Sequence, residues 1–510
     1  MAGQSKVQQP AISDSQRSHR HILKMTFALS VGIALIYLAF LKPGIWGFDG
    51  NDMLSVSKSL VTQLNFTVPP GSGALGRDGQ YYSIRYPLLP ILATPFVAIG
   101  LALGEGLNLP ADYVAAVCAL VLCVLLTALT ASLVALVALR LGSSTTGAYL
   151  AALCFAFGTT ALVYSREFFA EPLLSFITVS SLYLAFGKTN RAHAGASILA
   201  GLALTAKPAG IVIGPVLSAY LLLKRYPLRN ALGPMLGTVM GFMLYMAYNY
   251  LRFGSLLSTG QNASKFGLDG VLPRFLGLLF SPGAGGGLIW YCPPTILAII
   301  GFRKVLKSKP LEALAVAGIF LGYLVLHSFW EFGGWSWGPR FLVPALPGLM
   351  ALTALIEKKW WKWLIALTVL GFLANAPTLV SYFQGYYAEA LDGGYIKQAR
   401  ALWGSPADAP LFNAWGAAFR QMSTALTTDV RDVLRESGVP PEPGQMASAE
   451  LLRIVAVWWW VLPAAGIPIW VGGLFAALMV GVGVWVLRWG WGQADQIPKP
   501  NGNIQESVNL

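Results

Sequence analysis

Apolar segments recur along most of the chain, and short stretches that contain arginine or lysine separate them. Many approach the 20 or so residues that an α-helix needs to cross about 30 Å of hydrocarbon. The segments lie at 25–41, 112–139, 144–164, 168–187, 194–206, 209–223, 230–251, 285–302, 311–329, 340–356, 360–377 and 455–487. This pattern predicts an all-α polytopic membrane protein with about 12 transmembrane helices.

The basic residues predict which side of the membrane each loop faces. Short loops that are rich in lysine and arginine stay in the cytoplasm. With a cytoplasmic N-terminus, about 12 crossings place every basic cluster inside. These clusters are 17–24, Arg140, 188–191, 224–229, 303–309, 358–362 and the tail after Arg488.

One more apolar stretch, Pro87–Leu103, does not fit this alternation. A crossing there would turn every later basic cluster outward. The stretch contains Pro87, Pro90 and Pro95, and proline disfavours a straight helix. We therefore predict that it lies in or re-enters the outer interface, where protein or a water-filled cavity must cover its backbone.

These assignments divide the chain into regions. We expect a cytoplasmic basic tail at 1–24 and a transmembrane module at 25–383 that includes a first external loop at 42–112. A small extracytoplasmic cap at 384–453, a last transmembrane helix at 454–488 and a cytoplasmic tail at 489–510 follow.

Composition agrees with a membrane-embedded chain and changes how the net charge is interpreted. Hydrophobic residues make up 55% of the 510 positions and charged residues 11%, whereas soluble domains carry roughly 25% charged residues. The formal charge is +13, yet the basic residues stand in short clusters between apolar segments, as topology signals do. We therefore expect membrane lipids as partners and no nucleic acid.

Two acids follow the first predicted helix. Ionisable groups near a bilayer are costly, so those kept at the outer ends of helices are candidates for chemistry. Asp49 lies just past the outer end of the helix, and Asp52 comes three residues later. Such residues also favour turns, which is the simpler interpretation. The functional interpretation is a carboxylate base that reaches an acceptor hydroxyl.

A second outer segment places two acids beside an arginine. Glu167 and Glu171 follow Arg166, and their spacing of four puts both acids on one helix face. A solvated helix end with an Arg/Glu pair explains the same pattern.

A third segment, His327–Arg340, surrounds Glu331 and Arg340 with glycines and aromatic residues. A guanidinium can bind a phosphate through two hydrogen bonds, which suits Arg340 to an anionic ligand. An interfacial aromatic belt with a snorkelling arginine is the alternative.

Further candidates stand before the proline-rich stretch. Asp78, Tyr81, Tyr82 and Arg85 lie within eight residues of one another, and such side chains could line a sugar-phosphate site. Contact with lipid headgroups explains them equally well. Lys207, between two short predicted helices, is another outer cation, and it could simply snorkel.

The order of these motifs resembles the GT-C superfamily of glycosyltransferases. The resemblance is to the members that use polyprenyl-phosphate sugars, which include protein O-mannosyltransferases and the aminoarabinose transferases of lipid A, and it covers residues 25–380. It rests on Asp49 with Ser59-Leu60, Asp78–Ser83 with Arg85-Tyr86-Pro87, Arg166 with Glu171-Pro172-Leu173, Phe253-Gly254 with Ser258-Thr259-Gly260, Leu278–Gly283 and Gly333–Leu342.

The resemblance implies a GT-C-like bundle with interfacial helices in the first external loop, and it implies roles for individual residues. Asp49 corresponds to the catalytic base, and Glu171 to a second acid that supports the acceptor or a metal. The lipid phosphate would be held by Arg340, Arg85 and Lys207. The other expected substrate-binding residues are Arg166, Asp78, Tyr81, Tyr82, Glu167, Asp52, His327 and Glu331.

The sequence departs from the superfamily at one position. Many relatives carry Asp-Glu at the first site, whereas Gly50 follows Asp49 here. No cofactor is therefore assigned. A divalent cation between Asp49 and Glu171 stays open, as does Asp52 in place of the missing acid.

Together these observations predict an inverting glycosyltransferase in a bacterial inner membrane, with its site on the extracytoplasmic side. A sugar would pass from a polyprenyl-phosphate donor to a hydroxyl of a lipid, glycan or protein in the cell envelope. One alternative is a lipid-linked sugar flippase or exporter, which would need a charged path through the bundle. Another is an enzyme like an O-antigen ligase or polymerase, which would use an undecaprenyl-diphosphate donor.

Overall fold

The structure is a computed structural model that describes residues 14–45, 47–70, 72–261, 266–283, 285–330, 336–383, 409–436 and 454–496. Most of these residues are helical. The helices are α1 (Asp14–Ala39), α2 (Phe48–Thr62), α3 (Leu88–Gly106), α4 (Ala111–Leu141), α5 (Thr145–Gly158), α6 (Ala161–Tyr164), α7 (Ala170–Ala185), α8 (Asn190–Ala206), α9 (Ile213–Leu223), α10 (Leu228–Ala231), α11 (Gly233–Phe253), α12 (Val271–Phe280), α13 (Leu288–Tyr291), α14 (Ala298–Ser308), α15 (Pro310–Ser328), α16 (Leu346–Thr353), α17 (Trp361–Asn375), α18 (Pro377–Val380), α19 (Pro410–Thr427), α20 (Val430–Glu436) and α21 (Ile469–Asp495). Short 3₁₀ helices occupy Pro208–Val212, Pro293–Leu297, Arg340–Ala345, Lys358–Trp360 and Trp458–Ala465.

The described helices make this an integral membrane protein. Six helical segments are long and apolar enough to cross a bilayer, at 16–39, 88–106, 111–141, 310–328, 358–380 and 469–495. Five shorter apolar helical segments lie at 145–158, 170–185, 208–223, 271–280 and 340–353. The mainly helical membrane architecture is therefore confirmed, whereas the count of about 12 crossings stays a prediction.

The first and last described helices pack along each other. Gly32 of α1 faces Gly483 of α21, and Ala28 faces Gly490, so the two helices run antiparallel. The Tyr149 hydroxyl on α5 donates a hydrogen bond to the Leu487 carbonyl at 2.7 Å. The C-terminal helix is thus packed into the bundle.

Glycines bring α8 and α11 together at backbone distance. Gly237 lies against the Ser197 carbonyl and Gly241 against the Gly201 carbonyl, with no room for a side chain at either glycine. Contacts advance by four residues on both helices, so the helices run in the same direction. Small residues at such a contact are the usual means of helix association in membranes.

Helix α3 contains the prolines of the apolar stretch that does not fit the alternation of basic loops. Residues 88–106 form one continuous helix, with Pro90 in its first turn and Pro95 inside it. Proline in the first turn is tolerated because the N–H group it lacks would have no partner there. By length and composition alone this helix could cross a bilayer.

The placement of α3 bears on whether it crosses. Gly100 and Gly104 of α3 lie against Ala115 and Ala111 of α4, so α3 is paired with the first half of α4. The second half is paired with α1, because Ser132 and Ser30 share a hydrogen bond of 2.7 Å. Helix α4 has 31 residues and is about 46 Å long, which exceeds the hydrocarbon thickness. That α3 does not cross stays a prediction.

The connection between α1 and α3 contains α2 and a small antiparallel sheet. Its strands are β1 (Thr67–Val68), β2 (Ala74–Leu75) and β3 (Tyr81–Tyr82), with β3 in the middle. Thr67 and Ala74 both lie opposite Tyr82. The chain leaves this sheet at Ser83 and turns toward the start of α3.

Charged side chains gather at the two ends of the bundle. At one end, called the site end below, Asp49 of α2 lies close to Glu171 of α7. At the opposite end Lys224 pairs with Glu312 at 2.8 Å, and Lys309 donates to the Arg140 carbonyl. The basic clusters of the sequence belong to this opposite end.

Candidate active site

Asp49 is placed by the start of α2, in the first turn of that helix. Gly50 makes this placement possible, because a side chain at this position would meet Ile45 and the Phe168 carbonyl. The backbone of α2 therefore packs directly on the segment that precedes α7. The Asp49-Gly50 sequence, which departs from the superfamily pattern, is what this close contact requires.

The Asp49 carboxylate accepts from two arginines. Its Oδ1 lies 2.5 Å from Nη2 of Arg85, and its Oδ2 lies 3.0 Å from Nη2 of Arg340. Burial alone would raise the pKa of Asp49, but the two guanidinium groups outweigh it and lower this pKa to about 2. Asp49 is therefore a carboxylate at every physiological pH in this arrangement.

Glu171 is the second acid of the site, and it lies in the first turn of α7. Its Oε1 accepts from Nε of Arg340 at 2.8 Å and from Nζ of Lys207 at 2.7 Å. Its side chain is fully enclosed, whereas Asp49 retains 22% exposure. Arg340 thus joins the two acids through different nitrogens of one guanidinium.

These five residues form what we call the bridged cluster: Asp49, Glu171, Arg85, Arg340 and Lys207. Three cations face two carboxylates, which leaves one positive charge in excess. Arg85 and Arg340 are 20% and 14% exposed, respectively. An arrangement of this kind can accept an anionic group beside a carboxylate.

Aromatic rings support the cations of the bridged cluster. The guanidinium of Arg340 lies 3.8 Å from the centroid of the Phe169 ring, and Lys207 Nζ lies 4.4 Å from that of Phe341. Phe341 in turn stacks on His327 at 4.6 Å. Cations over ring faces are attracted electrostatically. His327 therefore supports Lys207 indirectly, by packing against the Phe341 ring that Lys207 contacts.

Asp52 acts on the segment that carries Arg85. The Ser83 hydroxyl donates to Oδ2 of Asp52 at 2.7 Å, and it accepts from the backbone N–H of Arg85 at 3.0 Å. Asp52 is buried, and burial raises its pKa although the Ser83 hydrogen bond opposes this. Asp52 therefore fixes the turn before Arg85 and lies behind the bridged cluster.

Known proteins resemble this chain in fold and not in sequence. No protein-family model matches the chain, and no curated protein matches it either. The similarity is to solved structures of ArnT, AglB and Pmt1-Pmt2.

Three of these structures show the range of the similarity. ArnT from Cupriavidus metallidurans bound to undecaprenyl phosphate has 15% identity and a TM-score of 0.48, covering 90% of this chain and 77% of that chain. The oligosaccharyltransferase AglB from Archaeoglobus fulgidus has 14% identity and a TM-score of 0.44, with coverages of 71% and 55%. The S. cerevisiae protein O-mannosyltransferase Pmt1-Pmt2 has 18% identity and a TM-score of 0.35, with coverages of 52% and 38%.

Arg166 and Glu167, which the sequence predicts to bind substrate, lie outside the bridged cluster. The guanidinium of Arg166 donates to the carbonyls of Thr378, Leu379 and Ala456. Glu167 forms an ion pair with Lys42. We call Arg166, Glu167 and Lys42 the carbonyl clasp, because it fastens the α18 and 454–457 segments to the site end of the bundle.

Lys42 and Arg252 were not predicted from the sequence. Both are buried. Burial lowers the pKa of Lys42 to about 8, although Glu167 opposes this. Arg252 donates to the Ser83 carbonyl and to Asn249 Oδ1, so it holds the turn before Arg85 from the other side. A lysine or arginine at the end of an apolar helix is also a topology signal. The sequence therefore offered no reason to assign either residue to the site.

The remaining candidates lie apart from the cluster or outside the described residues. Asp78 accepts from the Tyr82 hydroxyl at 2.7 Å on the exposed side of the sheet, and Tyr81 is half-buried beside it in β3. The structure does not bring these three side chains into the bridged cluster. Glu331 belongs to residues 331–335, which the structure does not describe.

The residues present do not suit a divalent cation. Asp49 and Glu171 are each engaged by two cationic side chains, and the excess charge of the cluster is positive. Among the described residues, no group of three or more His, Cys, Asp or Glu side chains could hold a metal ion. Hard cations prefer several carboxylate or carbonyl oxygens, and here both carboxylates already hold arginine or lysine side chains.

Proposed function

We propose that this protein is an inverting glycosyltransferase that moves a sugar from a polyprenyl-phosphate donor to a hydroxyl acceptor at the extracytoplasmic face of a bacterial inner membrane. The observation that carries the proposal is the bridged cluster, where a partly exposed carboxylate lies between two partly exposed guanidinium groups. The basic clusters at the opposite end favour a cytoplasmic location for that end, which leaves the site end outside. About 12 crossings, with α3 at the outer interface, fit this orientation.

The excess positive charge suits the donor phosphate. Arg85 and Arg340 are the exposed cations, and each can present two N–H groups to phosphate oxygens. Lys207 adds charge from behind. A lipid donor would reach them laterally from the outer leaflet, with its apolar chain remaining among the lipids.

Asp49 serves as the base only after the donor has bound. A carboxylate with a pKa of about 2 is a weak base, since general-base catalysis is best near the working pH. The donor phosphate competes with Asp49 for Arg85 and Arg340. Once they turn to the phosphate, the pKa of Asp49 rises and its oxygens become free for an acceptor hydroxyl.

The reaction then proceeds in one displacement. Asp49 takes the proton of the acceptor hydroxyl, and the acceptor oxygen attacks the anomeric carbon. The bond between that carbon and the phosphate oxygen breaks, and the electron pair leaves with the polyprenyl phosphate. Attack opposite the leaving group inverts the anomeric configuration. Arg85 and Arg340 stabilise the charge that develops on the leaving phosphate.

Glu171 acts through the cations. It is fully enclosed and bonds both Arg340 and Lys207, so we assign it as a positioning residue that orients the guanidinium and the ammonium. This assignment differs from the expectation that Glu171 supports the acceptor.

The proposal is tested by incubating the purified protein in liposomes with a panel of labelled polyprenyl-phosphate sugars and hydroxyl acceptors. We expect one donor to release polyprenyl phosphate together with a β- or α-glycoside of inverted configuration. Transfer that requires a polyprenyl-diphosphate donor would favour the ligase-like alternative. Movement of intact lipid-linked sugar across the bilayer without cleavage would favour the flippase.

A further inference from the structure

Helix α19 has one face against the protein and a second apolar face that is exposed. Ala414 and Ala418 are buried, and Leu411 and Ala417 pack partly buried against the same core. The exposed apolar side chains recur at spacings of three and four residues, as one stripe along the helix. They are Phe412 (61% exposed), Trp415 (37%), Phe419 (62%), Met422 (41%) and Leu426 (76%).

This stripe continues the exposed apolar surface of a helix long enough to cross the bilayer. The indole N–H of Trp415 donates to the Leu373 carbonyl at 3.0 Å, in the last two turns of α17. The side chains of Val369, Leu370 and Leu373 on α17 are themselves exposed. Since α17 belongs to a segment that can span a bilayer, its exposed apolar side chains face lipid, and the stripe begins beside them.

A second contact places α19 at the level where the bundle leaves the membrane. The Gln421 amide donates to the Ile454 carbonyl at 2.7 Å. A few residues later, the indoles of Trp458 and Trp459 donate to the Leu38 and Ala39 carbonyls, at the end of α1. Tryptophans at the end of a transmembrane helix are typical of the membrane–water interface.

The rest of the exposed surface of α19 is polar or small. Gly416, Arg420, Ser423 and Thr427 recur at the same spacing as the apolar stripe, one position further along. A helix with aromatic and aliphatic side chains on one side and polar residues on the other lies in the interface with its apolar side in the lipid. The exposed apolar surface of α17 and the stripe on α19 form one continuous surface, which favours lipid over a second protein as the partner.

We propose that α19 is an interfacial helix, and that its stripe from Phe412 to Leu426 is inserted into the lipid leaflet at the site end. The partner is a lipid surface, bound through the apolar side chains. This inference is independent of the proposed function, because it uses neither the bridged cluster nor the reaction.

Nitroxide labels at matched neighbouring positions test it. Met422→Cys and Ser423→Cys would each be labelled in the full chain carrying Cys118→Ala, because the other three cysteines are buried. The protein would be placed in liposomes of phosphatidylethanolamine and phosphatidylglycerol. Electron paramagnetic resonance then measures collision of each label with oxygen, which concentrates in lipid, and with a nickel chelate, which stays in water.

We expect a several-fold higher ratio of oxygen to nickel collisions at residue 422 than at residue 423. Equal, water-like ratios would overturn the proposal, because the stripe would face solvent. A label at 422 shielded from both reagents would also overturn it, because protein would then cover the stripe. Leu426→Cys and Thr427→Cys repeat the comparison one helical turn further on, should a change at 422 disturb folding.

Discussion

The bridged cluster and the carbonyl clasp lie at the same end of the bundle and use the same kinds of residue, yet they differ in what their donors bond. In the clasp, the Arg166 guanidinium donates hydrogen bonds to three backbone carbonyls, and Lys42 forms an ion pair with Glu167. In the bridged cluster, the donors meet only carboxylates, and Asp49, Arg85 and Arg340 keep part of their surface. Backbone carbonyls fix the Arg166 guanidinium in place, whereas partly exposed cations that pair with side chains can exchange those side chains for a ligand.

The largest effect should follow from Asp49→Asn. General-base catalysis contributes about 10²–10⁴-fold, so we expect kcat to fall by that order while the variant stays folded. Turnover of purified protein in liposomes measures it. Glu167→Gln in the clasp is the control, and it should keep near-normal turnover per folded molecule. Near-normal transfer by the Asp49→Asn variant would reject the base assignment.

Arg166→Met should destabilise the carbonyl clasp while leaving donor binding at the bridged cluster intact. Three carbonyls would lose their donor, and each buried acceptor left without a partner costs about 1–3 kcal/mol. We expect a lower melting temperature by thermal scanning in detergent, with donor-analogue affinity unchanged in the protein that stays folded. A lost affinity at an unchanged melting temperature would instead return Arg166 to the binding site.

Arg340→Ala should weaken binding of a donor analogue, whereas Arg166→Met should lower the melting temperature. Truncating one partner of a buried charge pair costs about 2–5 kcal/mol of binding, so the Kd of a non-hydrolysable donor analogue should rise accordingly. Arg340→Lys should recover only part of this, because an ammonium cannot bond two acids and a phosphate in the planar geometry of a guanidinium. An unchanged Kd in the alanine variant would contradict the role.

Asp52→Ala should have a smaller effect that passes through Arg85. A hydrogen bond to a charged group contributes about 1.5–3 kcal/mol at most, and the turn is also held by Arg252. We therefore expect a raised KM for the donor with kcat little changed. Asp52→Asn, whose amide oxygen still accepts from Ser83, should restore the KM. A fall in kcat alone would speak against positioning.

The smallest effect concerns pH. The folded-state pKa of Asp49 is about 2, below its value in an unfolded chain of about 3.9. The stability it contributes is therefore present above about pH 4 and is lost as the pH falls toward 2. Between pH 5 and 7 the kcat/KM profile, which reports the free enzyme, should show no inflection from Asp49. An inflection there that disappears in Asp49→Asn would show that its ion pairs are broken in the free enzyme.

Much of the site could be predicted from residue type and order. Asp49, Glu171, Arg85, Arg340 and Lys207 were all candidates in the sequence, and the structure brings them within direct contact of one another. The reason is that charges kept beside apolar segments are costly and therefore few. Their partners could not be predicted. Nothing in the local pattern distinguishes Arg166, which donates to backbone carbonyls, from Arg340, which donates to carboxylates.

The fold was predicted less evenly. Apolar segments marked the helices, but the prolines at 90 and 95 were taken to disfavour a straight helix, and the structure shows one continuous helix there. Proline's cost depends on its position within the helix, and that position is set by where the helix begins. Contacts between glycines, such as those of Gly237 and Gly241, depend on which helices become neighbours, and a single sequence does not reveal this.

The glycine contact between α8 and α11 has a consequence far from where it lies. It joins two parallel helices into one stiff piece, which carries Lys207 just past the end of α8 and Arg252 in the last turn of α11. Lys207 donates a hydrogen bond to Glu171 of α7, and Arg252 donates one to the Ser83 carbonyl in the turn before Arg85. We therefore expect a side chain at Gly237 or Gly241, several turns away from the site, to displace Arg85 relative to Glu171.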